Sequence, residues 1–424
     1  MGSYGKWSPR RATRGAVSIT SMALQHLGLG GIQLRRFERM VAVVLGVATL
    51  VIATGCSAPA VDQPSGASAQ VSQAQTTTPA VAAPASDGRA GWVVGGDIRL
   101  LDAAAPVILH TADGGATWTQ QVSDSQGELN SVFFTDSSTG WAVGGPGVFI
   151  LHTTDAGVTW KQQHVAAHVD SYLYSVFFVD ARTGWAVGGG ANDNVNAVIF
   201  HTTDGGESWE LQQSSVGAGQ GELESVFFTD ANTGWAVGSV GNERVPVVLH
   251  TTDGGAHWMQ QQPGVSSGRL YSAFFSDART GCAVGTKYDG RNGFALLLRT
   301  TDGGATWTEQ RTGVSGDGDL ISLSFADAST GCAVGHRYSG DGGTLVLRTV
   351  DGGVTWNPQK AKSAGDMHSA FFTGSLSGWM VGTITGADGL LAHSLMLRTS
   401  DGGVTWKQQQ VGVTEANLKS IFFK

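Results

Sequence analysis

A group of charged residues lies in the glycine-rich stretches between candidate strands, where side chains could do chemistry: Asp289, Arg291, Asp317, Asp319 and Asp341. Oxygen ligands of this kind hold cations or polar molecules, and two carboxylates at a suitable separation can hydrolyse a glycosidic bond. Their spacing does not match the calcium loop of an EF-hand. Three interpretations stay open: a site for a cation or polar ligand, a pair of glycosidase carboxylates, and solvated turn residues.

No other constellation in the sequence indicates a reaction or a resident metal. His164 and His168 are four residues apart, but no third ligand accompanies them, so a zinc site is not expected. The sequence contains no nucleophile elbow, P-loop or dinucleotide fingerprint. We therefore expect no cofactor, no metal and no catalytic residue.

The most regular acidic residue belongs to the phrase TTDGGATW, whose seven copies recur at spacings of 42 to 50 residues: Asp113, Asp155, Asp204, Asp253, Asp302, Asp351 and Asp401. Such an aspartate can accept hydrogen bonds from backbone N–H groups of its own turn, and the glycines supply positive φ. Seven near-identical copies cannot all line one site. We interpret these residues, the Asp boxes, as structural turn locks.

A basic alternation accompanies the Asp boxes. The residue before each TTDGG phrase is histidine in the first four copies and arginine in the last three, Arg299, Arg348 and Arg398. These arginines could form a basic binding band on one arc of the molecule. The alternative is that they are strand-end side chains in water.

Three phrases repeat together, which indicates a repeat architecture. GWAVG occurs seven times, with Cys282 and Cys332 in place of tryptophan in two copies. The phrase LxSVFF has six complete copies, and a seventh, residues 418–423, ends the chain, whereas the first GWVVG has none before it. Because a ring needs no capping repeats, the offset predicts that the C-terminal strand completes the first unit. The fold is predicted to be an all-β, seven-bladed β-propeller of four-stranded antiparallel blades.

Each unit of about 49 residues contains four candidate strands, exemplified by LNSVFF, GWAVG, VILHTT and TWTQQ. The turns between strands one and two, and three and four, are short and uniform. The other connections vary in length, and an antiparallel meander places all of them on one face. Loops on a rigid scaffold commonly bind ligands, so we expect the site on that face, at the mouth of the central channel.

The two cysteines at tryptophan positions raise the question of a disulfide. Cys282 and Cys332 occupy equivalent positions in successive units. Facing sheets lie about 10 Å apart, while a disulfide needs Cα atoms within about 7 Å. We expect two buried free thiols.

The amino terminus predicts a targeting segment. Arg35, Arg36 and Arg39 precede an apolar run, which small residues and Cys56 follow. This order is typical of a signal peptide, and the cysteine makes the site resemble a bacterial lipoprotein lipobox, which implies lipidation of Cys56. The alternative is an uncleaved anchor, although the run is shorter than the roughly 20 residues of a spanning helix.

Three regions follow from this interpretation: an N-terminal extension and signal peptide over 1–55, a tether over 56–88 and the propeller over 89–424. The tether is rich in Ala, Pro, Ser and Gln and has few large apolar side chains, so we expect it to be disordered. The expected location is the cell envelope, with the protein lipid-anchored outside the cytoplasm on the periplasmic or extracellular face.

Charge restricts the partners. Residues 1–55 carry seven basic residues and one acidic residue, which leaves 19 basic and 33 acidic residues in the rest of the chain. A body this acidic lacks the basic surface that nucleic acid requires, so no nucleic-acid partner is expected. We expect a monomer that contacts the membrane through its lipid anchor.

The phrases GWAVG and LHTTDGGATW, repeated over residues 90–424, resemble the photosystem II stability/assembly factor family of Asp-box propellers. The resemblance implies a non-enzymatic scaffold that docks a newly made membrane-protein subunit through an arginine patch, for which Arg299, Arg348 and Arg398 are the nearest candidates. The acidic balance, the lipobox and the tether depart from photosynthetic members of the family.

The alternative function is a glycan-active hydrolase, sialidase- or xyloglucanase-like, using carboxylates at the channel mouth. A sialidase needs a Tyr nucleophile and has six blades, whereas this sequence has seven units and no Phe-Arg-Ile-Pro segment. Xyloglucanases use two such propellers and a pair of Asp residues, whereas this sequence contains the repeats of one propeller. The sequence therefore favours an envelope-anchored binding or assembly scaffold with a protein partner.

Overall fold

The computed structural model describes residues 88–97, 105–123, 125–165, 171–190, 196–214, 221–241, 244–338, 343–359, 361, 365–385 and 392–424. Residues 80–424 form one compact unit. Cys56, His168, Asp341 and almost all of the predicted tether lie outside the described residues. The described part of the chain contains no helix that is long and apolar enough to cross a bilayer.

The described residues form strands and no helices, as the alternating phrases and glycine-rich turns predict. The strands are β1 Gly91–Asp97, β2 Pro106–Thr111, β3 Thr119–Gln121, β4 Glu128–Phe134, β5 Gly140–Gly145, β6 Phe149–Thr153, β7 Lys161–Gln162, β8 Tyr172–Phe178, β9 Gly184–Gly189, β10 Val198–Thr202, β11 Glu210–Leu211, β12 Gly221–Phe228, β13 Gly234–Val240, β14 Val245–Thr251, β15 Met259–Gln261, β16 Gly268–Phe275, β17 Gly281–Asp289, β18 Asn292–Thr300, β19 Thr308–Glu309, β20 Ser322–Phe325, β21 Gly331–Arg337, β22 Gly343–Thr349, β23 Asn357–Gln359, β24 Asp366–Phe372, β25 Gly378–Thr385, β26 Ala392–Thr399, β27 Lys407–Gln408 and β28 Ala416–Phe423.

The strands pair as seven four-stranded antiparallel units, here called blades 1 to 7. Blade 1 has the order β28-β1-β2-β3, blade 2 is β4 to β7, and each later blade takes the next four strands, ending with β24 to β27. The inner strand of each blade carries the LxSVFF phrase and the second carries GWAVG. Two extra bridges, Glu222 with Gly189 and Ser214 with Trp258, connect blades 3 and 4.

The C-terminal strand pairs with the first strand of the propeller. Gly91 lies opposite Phe423 and Val93 opposite Ile421, and the amide of Lys424 donates to the carbonyl of Ala90 at 2.9 Å. The pairing that the repeat offset predicts is therefore present, and β28 serves as the inner strand of blade 1.

The core consists of seven hydrophobic clusters, each between two neighbouring blades, and one of them lies between blade 7 and blade 1. Trp141 shows the pattern: its fully buried indole stacks on Phe178 of the next blade at 3.6 Å and on His152 of its own blade at 4.8 Å. The Trp141 Nε1–H donates to the Gly205 carbonyl in the next blade at 3.0 Å. The equivalent tryptophan bond links blade 1 to blade 2, blade 3 to blade 4 and blade 4 to blade 5.

Close packing of two backbones explains why the second residue of the GWAVG phrase that is glycine, Gly144 in blade 2, carries no side chain. A Cβ at Gly144 would overlap the carbonyl oxygen of Glu128 on the neighbouring inner strand. The pairing of β4 with β5 shifts register between Leu129 and Ser131 at the same place. Only glycine allows this close approach of the two backbones.

Candidate functional site

The antiparallel pairing separates the connections into two faces. The turns between the first and second strands and between the third and fourth strands lie at one end of each blade, the turn face. The loops between the second and third strands, and those leading to the next inner strand, lie at the other end, the loop face. The lengths of the connections vary on the loop face, so differences between blades are concentrated there.

The Asp boxes lie on the turn face and act within their own turns. The Asp113 carboxylate accepts bonds from the Thr117 amide at 2.9 Å and the Thr117 hydroxyl at 2.7 Å, and the Thr111 hydroxyl donates to it at 2.7 Å. The same carboxylate bonds recur at the other six boxes, with His257 Nδ1 in place of the hydroxyl at Asp253. These bonds lower the pKa of Asp113 to about 2, the Thr117 amide contributing most.

The Asp boxes predict acid sensitivity. Because the folded pKa is lowered from 3.8 to about 2 at Asp113, and similarly at other boxes, their stabilisation is complete above about pH 4 and is lost as the pH falls towards 2. We expect the melting temperature to fall by several degrees between pH 4.5 and pH 2.5 in thermal unfolding experiments. Added salt should leave most of the fall unchanged, since the bonds are local; a flat profile would contradict this role.

A belt of phenylalanines lines the inner strands near the turn face. Phe133 contacts Phe177 and Phe422 with ring centroids 5.0 Å apart in both cases. Further pairs link Phe177 with Phe227, Phe227 with Phe274, and Phe371 with Phe422. In blade 6 the equivalent residue is Ser324. Phe422 lies on the C-terminal strand, which belongs to blade 1. Its ring thus contacts the neighbouring blades on both sides, blade 7 and blade 2.

Closer to the loop face, one position of the inner strand carries six different residue types in the seven blades. The seven residues, here called the channel-mouth ring, are Asn130, Tyr174, Glu224, Tyr271, Ile321, His368 and Lys419. Asn130 Nδ2 donates to the Leu173 carbonyl at 2.9 Å, and His368 Nδ1 lies 2.8 Å from the Leu418 carbonyl. Because both partners lie on the inner strand of the next blade, the ring residues lie along the wall of the channel.

Charges of both signs meet at this ring. Arg269, at the start of β16, pairs with Glu222 and lies 3.6 Å from Glu224 Oε1. Lys419 Nζ lies 3.6 Å from Glu128 Oε1. Burial raises the pKa of Glu224 to about 7, although Lys419 and Arg244 act to lower it. Acidic and basic side chains therefore lie beside one another at the channel mouth.

Neutral groups complete the wall. Burial lowers the pKa of His368 to about 4, and the charge of Lys419 adds to this effect, so the imidazole is uncharged at neutral pH. Burial raises the pKa of Tyr174 to about 12, and the negative charge of Glu224 adds to the rise. The channel mouth is therefore a polar surface with separate acidic, basic and uncharged segments.

Asp319 is a buried member of the predicted acidic group. Its side chain is 3% exposed, with His336 Nδ1 3.2 Å from Oδ1, and the Tyr338 hydroxyl donates to Oδ2. Burial acts to lower the pKa of His336, but the bond to Asp319 and its charge outweigh burial and raise the pKa. Asp319 is thus already bonded within blade 6, which leaves it unsuited to hold a cation.

The side-chain partners of Asp319 do not include the other described members of the group. Asp289 and Arg291 are exposed at the hairpin between β17 and β18, and Asp317 is half-buried in the loop before β20. Asp289 lines a groove of about 760 Å³, together with Lys287, Phe294, Glu309 and Arg311. The described residues contain no group of three metal-ligating side chains. The predicted acidic pocket is therefore divided between a bonded cluster and a surface groove.

Comparisons with known proteins agree with this architecture. The sequence model of the family described as "Photosynthesis system II assembly factor YCF48" matches residues 70–168 and 161–266. Residues 70–266 of this chain are therefore similar to a family of photosystem II assembly factor-like repeats. The matched residues include strands β1 to β3 and all of blades 2, 3 and 4, and the later blades carry the same phrases. No curated protein sequence matches this chain.

A solved structure of a similar protein supports the propeller fold. A YCF48 bound to a D1 peptide is 18% identical, covers 71% of this chain and 94% of its own, and has a TM-score of 0.51. A YCF48 from Cyanidioschyzon merolae is also 18% identical, with coverages of 71% and 97% and a TM-score of 0.49. A GH74 enzyme from Niastella koreensis is 13% identical, with coverages of 77% and 68% and a TM-score of 0.49.

The three arginines that the family resemblance suggested as a docking patch lie between blades, at the strand ends near the turn face. Arg299 Nε donates to the Gly352 carbonyl at 3.2 Å, and Arg348 Nε to the Gly402 carbonyl at 2.6 Å. Arg398 is 8% exposed and lies over the Trp379 ring at 4.7 Å. This placement gives them a structural role within the propeller.

The first two arginines compensate for a missing indole. In blades 5 and 6 the tryptophan is Cys282 or Cys332, both free thiols whose burial raises the pKa to about 12. Arg299 and Arg348 donate to the same Asp-box carbonyl that a tryptophan Nε1–H reaches in other blades. Arginine and cysteine together thus replace histidine and tryptophan.

The channel-mouth ring is the feature that inspection of the sequence missed. The sequence carried a signal for this ring: the residue after the repeated Leu or Met of the inner strand is of six different types in seven copies, with tyrosine occurring twice. A position that varies inside a conserved strand points to a surface free from packing constraints. The strands had to be aligned by blade before these residues could be recognised as one ring.

Proposed function

We propose that this protein is a non-enzymatic binding scaffold that docks a protein partner on its loop face. The observation that carries the proposal is the combination of repeated structure and variable chemistry. The blades repeat the same packing and turn bonds, whereas the seven positions of the channel-mouth ring carry six residue types and the loops above them vary. A surface of this kind suits recognition of an irregular protein surface.

The family supports a protein as the ligand. A YCF48 of the same fold is bound to a D1 peptide, so a peptide segment of a membrane-protein subunit is the class of partner that we propose here. A lipid on Cys56 and the tether over 56–88 would hold the propeller near such subunits at the envelope. Replacement of Cys56 with serine should then release the protein from the membrane fraction and abolish labelling by radioactive palmitate.

The docking face can be tested with two exposed valines of nearly equal exposure. Val122, which follows β3 on the loop face, is 78% exposed, and Val158, in an Asp box on the turn face, is 76% exposed. A photo-cross-linking benzoylphenylalanine is placed at either position of the full chain in its own host. We expect a discrete adduct from Val122 and none from Val158; equal adducts, or an adduct from Val158 alone, would reject the loop face.

A glycan hydrolase is the second candidate, favoured by one observation. Glu222 and Glu224 project from one strand at the channel mouth, and the raised pKa of Glu224 would let it donate a proton. Both carboxyl groups lie near Arg269, which favours a structural pair. Release of reducing sugar from polysaccharides by the chain, abolished in Glu224→Gln, would establish the enzyme and displace the scaffold.

A further inference from the structure

The hairpin of blade 5 has an open strand edge. Strands β17 and β18 are nine residues each, whereas the outer strand β19 pairs only at Leu298 with Glu309 and Arg299 with Thr308. The first half of β18 therefore extends beyond the outer strand. Unpaired edges of this kind are templates for the addition of another strand.

The turn at the end of the hairpin determines which backbone groups face that edge. Asp289 pairs with Asn292 across a two-residue turn, so Asn292, Phe294 and Leu296 bond inward to β17, and the residues between them face outward. Two outward carbonyls confirm this alternation: Gly293 accepts from the Gly318 amide and Leu297 from the Gln310 amide, each at 2.8 Å. Ala295 lies between these two anchors with its N–H and C=O facing outward.

The groove lies along this edge. Phe294 and Ala295, which point to opposite faces of the strand, both line the groove of about 760 Å³, and the segment from Glu309 to Gly316 forms its other wall. Only a groove at the edge can touch both faces of one strand. Within the described part of the chain, no group bonds to the outward backbone of Ala295.

Other blades close the equivalent position. Ala295 pairs with Thr286, and the residues at the same register are Pro106 in blade 1, Pro246 in blade 4 and Ser394 in blade 7. Proline has no N–H to offer a new strand, and the Ser394 amide already donates to the Thr414 carbonyl at 3.0 Å. In blade 5 the backbone N–H of Ala295 thus stays accessible, whereas the equivalent N–H is absent in blades 1 and 4 and already bonded in blade 7.

Charge and shape define the occupant. Lys287 Nζ and Glu309 Oε2 pair with each other at 3.0 Å. Asp289 lies beside the hairpin turn, at one end of the groove. Arg311 lies towards the other end, because the preceding residue, Gln310, bonds to Leu297. An extended segment with an apolar residue between a basic and an acidic one complements this groove.

We infer that blade 5 binds a short extended segment of a partner protein by strand addition at Ala295, an inference that rests on the proposed scaffold function. The segment would donate to and accept from the Ala295 backbone, place an apolar side chain against Phe294 and Val314, and direct its charged residues to Asp289 and Arg311. The loop face would thereby recognise backbone conformation as well as side chains.

The test uses Ala295→Pro, which copies the natural prolines of blades 1 and 4, and Ala295→Ser as the control that keeps the N–H. Phage-displayed random linear peptides are selected on the full chain, and the enriched peptides are synthesised and titrated by fluorescence anisotropy. We expect Ala295→Pro to weaken binding about tenfold, the loss of roughly one hydrogen bond, and Ala295→Ser to weaken it less than about twofold. Failure to enrich any peptide, or equal binding by the two variants, would overturn the inference.

Two further measurements keep the result interpretable. If Ala295→Pro does not fold, hydrogen exchange on the wild-type chain decides: bound peptide must slow exchange of the Ala295 amide, and unchanged exchange overturns strand addition. A wild-type dimer that Ala295→Pro dissociates in sedimentation would show a second copy as the occupant and would also overturn the inference. A cross-linked partner at Val122 that persists in Ala295→Pro would leave the scaffold function intact while rejecting this groove as its site.

Discussion

Removal of residues 415–424 is expected to abolish cooperative folding of the propeller. The deletion removes β28, whose Leu418, Ile421 and Phe423 are at most 3% exposed. Truncating one such side chain to alanine costs about 2–5 kcal/mol, so the loss of all three matches or exceeds the roughly 5–15 kcal/mol that stabilises an ordinary domain. It would also expose Trp379 and Val93, which belong to the same cluster.

Thermal unfolding followed by circular dichroism, together with limited proteolysis, measures this effect. The truncated chain should show a broad transition or none, and cleavage should begin in blades 1 and 7. Deletion of Lys424 alone is the matched control, because that residue is exposed and lies beyond the strand. A truncated chain that unfolds as cooperatively as the full chain would show that β28 is dispensable.

Replacement of Trp235 with cysteine is expected to destabilise the protein by about 3–5 kcal/mol, the range for loss of a large buried aromatic side chain. The indole is fully buried, stacks on Phe275 at 3.6 Å and on His250 at 4.9 Å, and donates to the Gly303 carbonyl at 3.0 Å. The substitution removes both stacking contacts and leaves that carbonyl without its donor.

A second change, His250→Arg, should recover part of that loss. Arg299 and Arg348 bond the equivalent carbonyl where cysteine is native, and a bond from a charged donor contributes about 1.5–3 kcal/mol. His250→Arg alone should be nearly neutral, because blade 7 combines Trp379 with Arg398. Urea unfolding of the wild type, Trp235→Cys, His250→Arg and the double variant gives the coupling energy. Additive effects would show that arginine with cysteine does not substitute for histidine with tryptophan.

The architecture was predictable from the sequence because its determinants are local and repeated. The turn bonds of the Asp box involve residues within four positions of Asp113, and the alternating inner strands fix which side chains are buried. The pairing of β28 with β1 followed from the offset between phrases, which required only that the repeats form a ring. Local turn chemistry and simple counting were sufficient for these features.

The site was less predictable because it depends on which side chains meet across blades. Asp319 reads as a loop carboxylate, yet the register of β20 with β21 buries it against His336 and Tyr338. From the sequence, Arg299 and Arg348 were expected to form a basic band on the surface. Each of them, however, belongs to a blade that has cysteine in the tryptophan position, and each makes the bond that tryptophan makes elsewhere. That correlation is visible in the sequence, but Arg398, which follows Trp379, obscures it.

The open edge at Ala295 shows the same limit. Pro106 and Pro246 are visible in the sequence, but they become informative only when the pairing places them at the register of Ala295. The length of β18 beyond β19 likewise depends on where the outer strand leaves the sheet. Sequence patterns fix the strands, while the edges that remain available for binding depend on the three-dimensional pairing.

The C-terminal strand pairs with the first strand of the propeller, and a disulfide measures this pairing most directly. Ala90 and Lys424 are bonded neighbours at the end of β1 and β28, so a full chain carrying Ala90→Cys and Lys424→Cys, with Cys56→Ser to prevent side reactions, is oxidised under mild conditions. We expect rapid formation of a bond within one molecule, seen as a faster band on a non-reducing gel. Absence of that band, or bonds between molecules only, would contradict a propeller whose C-terminal strand completes its first blade.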